Sequence, residues 1–154
     1  MHPKLLQPLA LFREHSEVPN FPYFLTPDKI SHISAELSAF MQEKKPFLRL
    51  GYSIRDLGDE LGIPYYQLSA FINQWIGMNF NEFLNWFRVR HCQQLMDNGD
   101  SEQLNLRGLA HSCGFNNRNT LTTAFKKFTG STPSDYFKRT ELGKGFPLNF
   151  IGSN

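Results

Sequence analysis

SIRDLGDELGI, residues 53–63, is the stretch that decides the fold, because its pattern recurs as NLRGLAHSCGF at residues 105–115. In each copy a capping residue, Ser53 or Asn105, precedes apolar positions at helical spacing, and a glycine follows the last of them. The register then slips by one, after which Leu68, Ile72, Gly77 and Phe83 match Leu121, Phe125, Gly130 and Tyr136. Each copy therefore predicts a helix, a tight turn and a second helix, which is a helix-turn-helix.

The composition of the 154 residues, 40% hydrophobic and 14% aromatic, is typical of a packed globular protein. No run of 18 apolar residues appears, and the N-terminus lacks the apolar core of a signal peptide. The two cysteines, Cys92 and Cys113, lie inside helical patterns and make a poor disulfide framework. We therefore expect a cytoplasmic protein whose cysteines are reduced core residues.

Charge is distributed unevenly along a chain whose formal net charge is only +2. Residues 51–87 contain one arginine against four carboxylates, whereas residues 88–139 contain eight lysines or arginines against four carboxylates. The second half is therefore where contacts with phosphate groups are expected.

Helix signals extend the pattern outward from the two repeats, and no strand pattern competes with them. A first helix starts at Thr26-Pro27-Asp28 and stops before Pro46. A long helix, opened by a capping box at Asn79 and Glu82, has apolar residues on two sides and connects the repeats. The predicted fold is all-α and consists of an arm (1–25), lobe one (26–78), a connecting helix (79–98), lobe two (104–139) and a tail (140–154).

Three details inside the lobes are also predicted. Gly58 and its counterpart Ala110 are small because the following helix crosses closely there. The second helix of lobe one, from about Pro64 to Trp75, is expected to bury Trp75 beside Leu68, Phe71 and Ile72. Asn116 is expected to cap the second helix of lobe two.

The second repeat resembles the signature of the AraC/XylS family of transcription regulators. The matching elements, in order, are Gly114-Phe115, Phe125-Lys126-Lys127, Gly130 and Thr132-Pro133-Ser134. The first repeat and the connecting helix, including Gly77, Phe80, Phe83, Leu84 and Arg88, resemble the rest of the family's DNA-binding domain. The resemblance covers roughly residues 28–139.

This resemblance implies a seven-helix, homeodomain-like domain that binds double-stranded promoter DNA and regulates transcription as a bacterial activator, with RNA polymerase as a further partner. The second helix of each lobe would enter the major groove, with the two insertions about one helical turn apart. The family usually adds a sensing or dimerisation domain. The chain is therefore expected to be either a small stand-alone regulator or the C-terminal piece of a longer sensor protein.

Residues that would read DNA follow from the outward face of each second helix. In lobe two, Arg, Asn and Thr side chains suit base edges, and the two lysines one turn after the threonines suit phosphates. In lobe one the outward side chains are less typical, because the family usually places a cation there. The predicted contacts are Arg118, Asn119, Thr122, Thr123, Lys126 and Lys127 in lobe two, and Tyr66, Ser69, Ala70 and Asn73 in lobe one.

Alternative functions rest on weaker patterns. A zinc site would have to use His91, Cys92, His111 and Cys113, but the paired ligands of such sites are missing, so neither a metal nor another cofactor is expected. No catalytic spacing suggests an enzyme. A protein-interaction module that has lost DNA binding in its acidic first lobe remains the alternative. Arg88 is expected to pair with an internal carboxylate or carbonyl rather than with DNA.

Overall fold

The computed structural model of the chain describes residues 25–100 and 104–144, and within these ranges it contains helices and no strand. The described residues form seven α-helices, which are α1 (Pro27–Lys44), α2 (Ile54–Leu61), α3 (Tyr65–Phe71), α4 (Phe80–Asp97), α5 (Leu106–Ser112), α6 (Arg118–Thr129) and α7 (Pro133–Lys144). A short 3₁₀ turn, Pro46–Leu48, follows α1. The all-α architecture predicted from the repeats is confirmed. Residues 1–24 of the predicted N-terminal arm and residues 145–154 of the predicted tail lie outside the described residues.

The chain divides into two compact units, each with one helix-turn-helix. The first unit contains the described residues up to Pro46 together with residues 51–83, and the second contains residues 47–50 and those from Leu84 onward. Residues 47–50 therefore belong to the second unit although they precede α2 in the chain.

Helix ends in the first unit follow the predicted capping signals. The Thr26 hydroxyl accepts a hydrogen bond from the Lys29 amide at the start of α1. The start of α2 is a reciprocal capping box in which the Ser53 hydroxyl accepts from the Asp56 amide and the Asp56 carboxylate accepts from the Ser53 amide. Gly62 ends α2 at φ +65°, a left-handed conformation that glycine adopts without steric cost.

The core of the first unit is built from one face of each helix. Its buried side chains are Ile33, Leu37, Met41, Tyr52, Leu57, Ile63, Leu68, Phe71, Ile72, Ile76 and Phe83. At Gly58 the chain that follows α2 comes close to the helix, since a Cβ there would lie 2.8 Å from the Ile63 carbonyl oxygen and 3.3 Å from the Tyr65 amide nitrogen. The predicted close crossing at this glycine is confirmed.

Trp75 is not buried as predicted, because α3 does not continue as a regular α-helix. Residues Ile72–Ile76 form a π-helical turn. A π turn holds more residues than an α turn, so the inward position shifts one residue along the chain. Ile76 occupies it with 3% of its surface exposed, whereas Trp75 is 42% exposed.

The core of the second unit gathers residues from α4 to α7, which are Val89, Cys92, Met96, Leu109, Ala110, Cys113, Phe115, Leu121, Ala124, Phe125 and Phe137. Asn105 caps α5 by accepting from the Gly108 amide, as predicted. The cap of α6 is Asn117, which accepts from the Thr120 amide, and not the predicted Asn116. The last helix also continues to Lys144, through residues that were expected to form the start of the tail.

The two cysteines are joined, which corrects the expectation that they are separate reduced core residues. Cys92 on α4 and Cys113 at the end of α5 form a disulfide. Both side chains are fully buried, so the core position was predicted correctly but the bond was not. Helical periodicity placed each cysteine on an inward face, but it does not indicate which inward residues of two helices face each other.

Candidate nucleic-acid interface

Helix α6 has one buried face and one open face within the second unit. Leu121 and Phe125 are fully buried, and Ala124 is nearly so. The polar side chains singled out from the sequence lie at other positions of the helix. Arg118, Asn119, Thr123, Lys126 and Lys127 are exposed, and Thr122 is partly buried. The structure therefore places all six predicted lobe-two residues on the outward side of one helix.

Most of these side chains have no bonding partner within the part of the chain that the structure describes. Arg118, Asn119, Thr123 and Lys126 form no hydrogen bond or ion pair through their side chains in those ranges. Thr122 differs, because its hydroxyl donates to the Arg118 carbonyl oxygen at 2.9 Å, which leaves the methyl group as its outward feature. Lys127 differs as well, since its ammonium lies 5.8 Å from the centre of the Phe128 ring.

The side chains of this surface suit an anionic ligand that itself presents hydrogen-bond donors, acceptors and methyl groups in a fixed order. An arginine offers a planar pair of donors, an asparagine offers one donor and one acceptor, and a threonine methyl offers an apolar contact. Because Arg118 and Asn119 lie in the first turn, just after the Asn117 cap, they stand at the positive end of the helix dipole. Lys126 and Lys127 lie two turns later.

The turn that leads into α6 packs on residues 47–50, and Arg88 of α4 binds the same segment. The Arg88 guanidinium donates from Nε to the Phe47 carbonyl oxygen at 2.6 Å and from Nη1 to Asn85 Oδ1 at 3.1 Å. Burial lowers the pKa of Arg88 from its ordinary value. Gly114, at φ +84°, packs so closely on this segment that a Cβ would lie 2.5 Å from the Phe47 carbonyl oxygen. The expectation that Arg88 pairs with an internal carboxylate or carbonyl is confirmed, and the acceptor is a backbone carbonyl.

In the first unit the predicted residues lie on α3 and on the π turn that continues it. Tyr66 and Asn73 are exposed, and Ser69 and Ala70 are partly buried. The Asn73 amide donates to the Ser69 carbonyl oxygen at 2.9 Å and to the Ser69 hydroxyl at 3.2 Å. These two side chains therefore orient each other, while the Tyr66 ring extends into solvent with 44% of its surface exposed.

Arg55 was not singled out from the sequence, but it belongs to this surface. Its guanidinium carbon lies 4.4 Å from the centre of the Tyr65 ring, and that ring makes an edge contact with Tyr66. The available signal was that Arg55 is the single Lys or Arg in residues 51–87, placed in the first turn of α2. The first lobe therefore carries a cation beside its exposed aromatic pair, although no cation lies on α3 itself.

Among residues 25–100 and 104–144, no group of three or more His, Cys, Asp or Glu side chains is arranged to hold a metal ion. No described helix combines the length and the apolar character needed to cross a membrane.

Comparison with known proteins places this arrangement in a family. The profile of a helix-turn-helix domain matches residues 57–139, which is more than half of the chain. The HTH-type transcriptional regulator YijO of Escherichia coli is 35% identical over 69 residues, covering 45% of this chain and 23% of that protein. A Streptomyces lividans protein named as an AraC-like transcription regulator is 28% identical over 91 residues, covering 59% of this chain and 29% of that protein. The chain thus spans less than a third of the length of these relatives.

A solved structure shares the fold. The DNA-binding domain of AdpA, determined in complex with a target DNA, superimposes with a TM-score of 0.59 at 19% sequence identity. The match covers 73% of this chain and 96% of that domain. The profile matches more than half of the chain, a relative is AraC-like, and the fold has two helix-turn-helix units. This chain therefore belongs to the AraC/XylS family of DNA-binding transcription regulators.

Proposed function

We propose that this chain binds promoter DNA in a sequence-specific manner by inserting α3 and α6 into adjacent major grooves. The observation that carries the proposal is the open face of α6, where Arg118, Asn119 and Thr123 are exposed and have no side-chain partner among the described residues. Polar side chains that a fold leaves unsatisfied in a helix's first turns are available to bond base edges. AdpA, whose domain shares this fold, was crystallised on a target DNA, which supports the same use here.

In lobe two, base contacts and phosphate contacts are divided along α6. Arg118 pairs with guanine and Asn119 with adenine, while the methyl groups of Thr122 and Thr123 contact thymine methyls. Lys126 and Lys127 neutralise phosphates, which adds affinity without sequence preference.

In lobe one, contacts rely more on shape than on charge. Tyr66 and the Tyr65 ring beneath Arg55 contact sugars or thymine methyls, and the Arg55 guanidinium supplies the phosphate contact that α3 lacks. Ser69, Ala70 and Asn73 contact the DNA beside these rings. The Asn73 amide is oriented for this by its hydrogen bonds to Ser69.

We further propose that the domain works in the bacterial cytoplasm as a transcription activator, with RNA polymerase as its partner and a sensing or dimerisation domain outside the residues given. Membership of the AraC/XylS family supports this extension. In vitro transcription from a promoter that carries the selected site tests it, and activation should require both DNA binding and polymerase.

Selection of bound duplexes from a random library tests the DNA-reading proposal. Two half-sites with centres about 10 base pairs apart are expected, because that spacing returns the groove to the same side of the duplex. Binding should weaken steeply as salt rises. Arg118→Ala should lose about 1–3 kcal/mol of discrimination at one base pair, whereas Lys126→Ala should weaken all sequences alike and reduce the salt slope by about 1.

Lys126→Ala is a matched control because Lys126 lies on the same exposed helix face and has no described partner to lose. If neither substitution changes binding, the assignment of α6 is wrong. If the protein shows no salt-dependent affinity for any duplex, the alternative of a protein-interaction module with this fold replaces the proposal.

A further inference from the structure

The disulfide of the second unit joins the connecting helix α4 to the turn between α5 and α6, the two helices of the helix-turn-helix. Cys92 lies in the C-terminal half of α4, and Cys113 is the C-terminal cap residue of α5. Their Cα atoms are 5.7 Å apart, a separation within the range that disulfides adopt. Both side chains have no exposed surface. The bond uses both cysteines of the chain.

The bond fixes the turn that precedes α6. The Cys113 amide donates to the Leu109 and Ala110 carbonyl oxygens at 3.0 and 3.2 Å, and the Phe115 amide donates to Ala110 at 2.9 Å. Cys113 is therefore part of the hydrogen-bonded turn between the two helices of the motif, and the disulfide ties that turn covalently to α4.

The compartment in which such a protein works makes this bond unusual. If the chain binds DNA as proposed above, it works in a compartment that small thiols keep reducing. Disulfides in such compartments are typically transient, and serve catalysis or redox sensing rather than permanent stabilisation. A redox role for this bond therefore rests on the proposed function.

We propose that Cys92 and Cys113 are a reversible oxidation site whose state sets the thermal stability of the second helix-turn-helix, and so the temperature range in which the protein binds DNA. The exchange partner is a low-molecular-weight thiol and its disulfide. One thiolate attacks a sulfur of the Cys92–Cys113 bond to form a mixed disulfide, and a second thiol releases the small disulfide. The protein gains two thiol protons, and two small thiols become one disulfide.

The direction of the effect follows from the loop that the bond closes. The cysteines are 21 positions apart, and a cross-link over a loop of this size limits the freedom of the unfolded chain. A melting temperature about 10 °C higher in the oxidised protein is expected. The reduced protein should still fold, because buried cysteine packs as a small hydrophobic residue. The fully buried sulfurs should exchange only when α5, a helix of seven residues, opens locally.

The reversible oxidation of Cys92 and Cys113 can be tested on the full wild-type chain. One sample is incubated with glutathione disulfide and another with dithiothreitol, and each is denatured, alkylated and weighed by mass spectrometry. The oxidised sample should carry no alkylated thiol and the reduced sample two. Melting followed by circular dichroism should then differ by about 10 °C. At a temperature between the two midpoints, only the oxidised protein should bind the duplex selected from the random library.

Cys92→Ala/Cys113→Ala is the matched control, whose melting temperature should be the same with glutathione disulfide and with dithiothreitol, because it has no bond to form or break. The proposal is overturned if glutathione disulfide leaves two alkylatable thiols, or if the oxidised and reduced wild-type proteins melt together. Thiol counting and melting involve no DNA, so failure to bind any duplex would count against the proposed function and leave these two readouts to decide this inference.

Discussion

The Arg88 guanidinium donates from Nε to the carbonyl oxygen of Phe47, a residue 41 positions earlier in the chain, at 2.6 Å. The Phe47 ring stacks on Phe87, with ring centres 5.5 Å apart, and lies edge-on to His91 at 6.0 Å. One residue outside the second repeat is therefore held to α4 by a charged hydrogen bond and by two aromatic contacts. This explains why residues 47–50 belong to the second unit.

Replacing Arg88 with alanine should destabilise the second unit. The change removes a charge-assisted hydrogen bond and leaves the Phe47 carbonyl without this donor, at a cost of about 2 kcal/mol. Chemical denaturation of the purified protein measures it. Arg90→Ala is the control on the same helix, because Arg90 is exposed and its contact with the Trp86 ring, at 5.7 Å, should contribute only about 0.5 kcal/mol. Equal losses in the two variants would contradict the role given to Arg88.

Two glycines with the same backbone conformation should respond differently to alanine. Gly114 and Gly130 have φ of +84° and +78°, so alanine is strained at both by about 1 kcal/mol. Only at Gly114 would the added Cβ meet backbone, 2.5 Å from the Phe47 carbonyl oxygen and 2.9 Å from the Leu48 Cα, whereas at Gly130 it meets open space.

Gly114→Ala should therefore cost about 1–3 kcal/mol more than Gly130→Ala, because the segment at Phe47 must move to admit the methyl group. The difference in free energy of unfolding between the two variants is the measurement. Similar values would mean that residues 47–50 yield easily and that their packing on the turn contributes little.

Gly58 and Gly108 form a second pair, in which the backbone is helical and only the surroundings differ. A Cβ at Gly58 would lie 2.8 Å from the Ile63 carbonyl oxygen, whereas at Gly108 its nearest neighbours are at 3.4 Å, an ordinary contact distance. Alanine is favoured over glycine within helices by up to about 1 kcal/mol. Gly108→Ala should therefore stabilise the protein and Gly58→Ala should destabilise it, as measured by thermal melting. A gain in both would show that α2 and α3 separate at little cost.

The features of the fold that the sequence predicts correctly are those that depend on neighbouring residues and helical periodicity. The repeat, the capping residues Ser53, Asn79 and Asn105, and the close crossing at Gly58 all depend on local sequence, and all were predicted correctly. The predicted burial of Trp75 was wrong because the π turn changes the spacing of inward positions. No residue type in the sequence indicates such a turn.

The disulfide could not be predicted because it depends on how α4 and α5 pack, which a single sequence does not specify. The error at Asn116 has a local cause, since Asn116 and Asn117 are both good caps and only the backbone decides which one accepts from α6. In the candidate site, the outward residues of α6 followed from the helical period. The contact of Arg55 with Tyr65 did not, because it joins two helices.

Thr122 provides a test of base reading that separates its two functional groups. Its hydroxyl donates to the Arg118 carbonyl oxygen, so we propose that the methyl group, and not the hydroxyl, contacts a thymine. Thr122→Val keeps a methyl group at that position and should retain the base preference. Thr122→Ser keeps the hydroxyl but loses the methyl and should lose roughly fivefold in preference for thymine, which corresponds to about 1 kcal/mol for one buried methyl group. Competition between duplexes that differ at a single base pair measures both variants, and the opposite ranking, with serine retaining the preference that valine loses, would assign the reading to the hydroxyl.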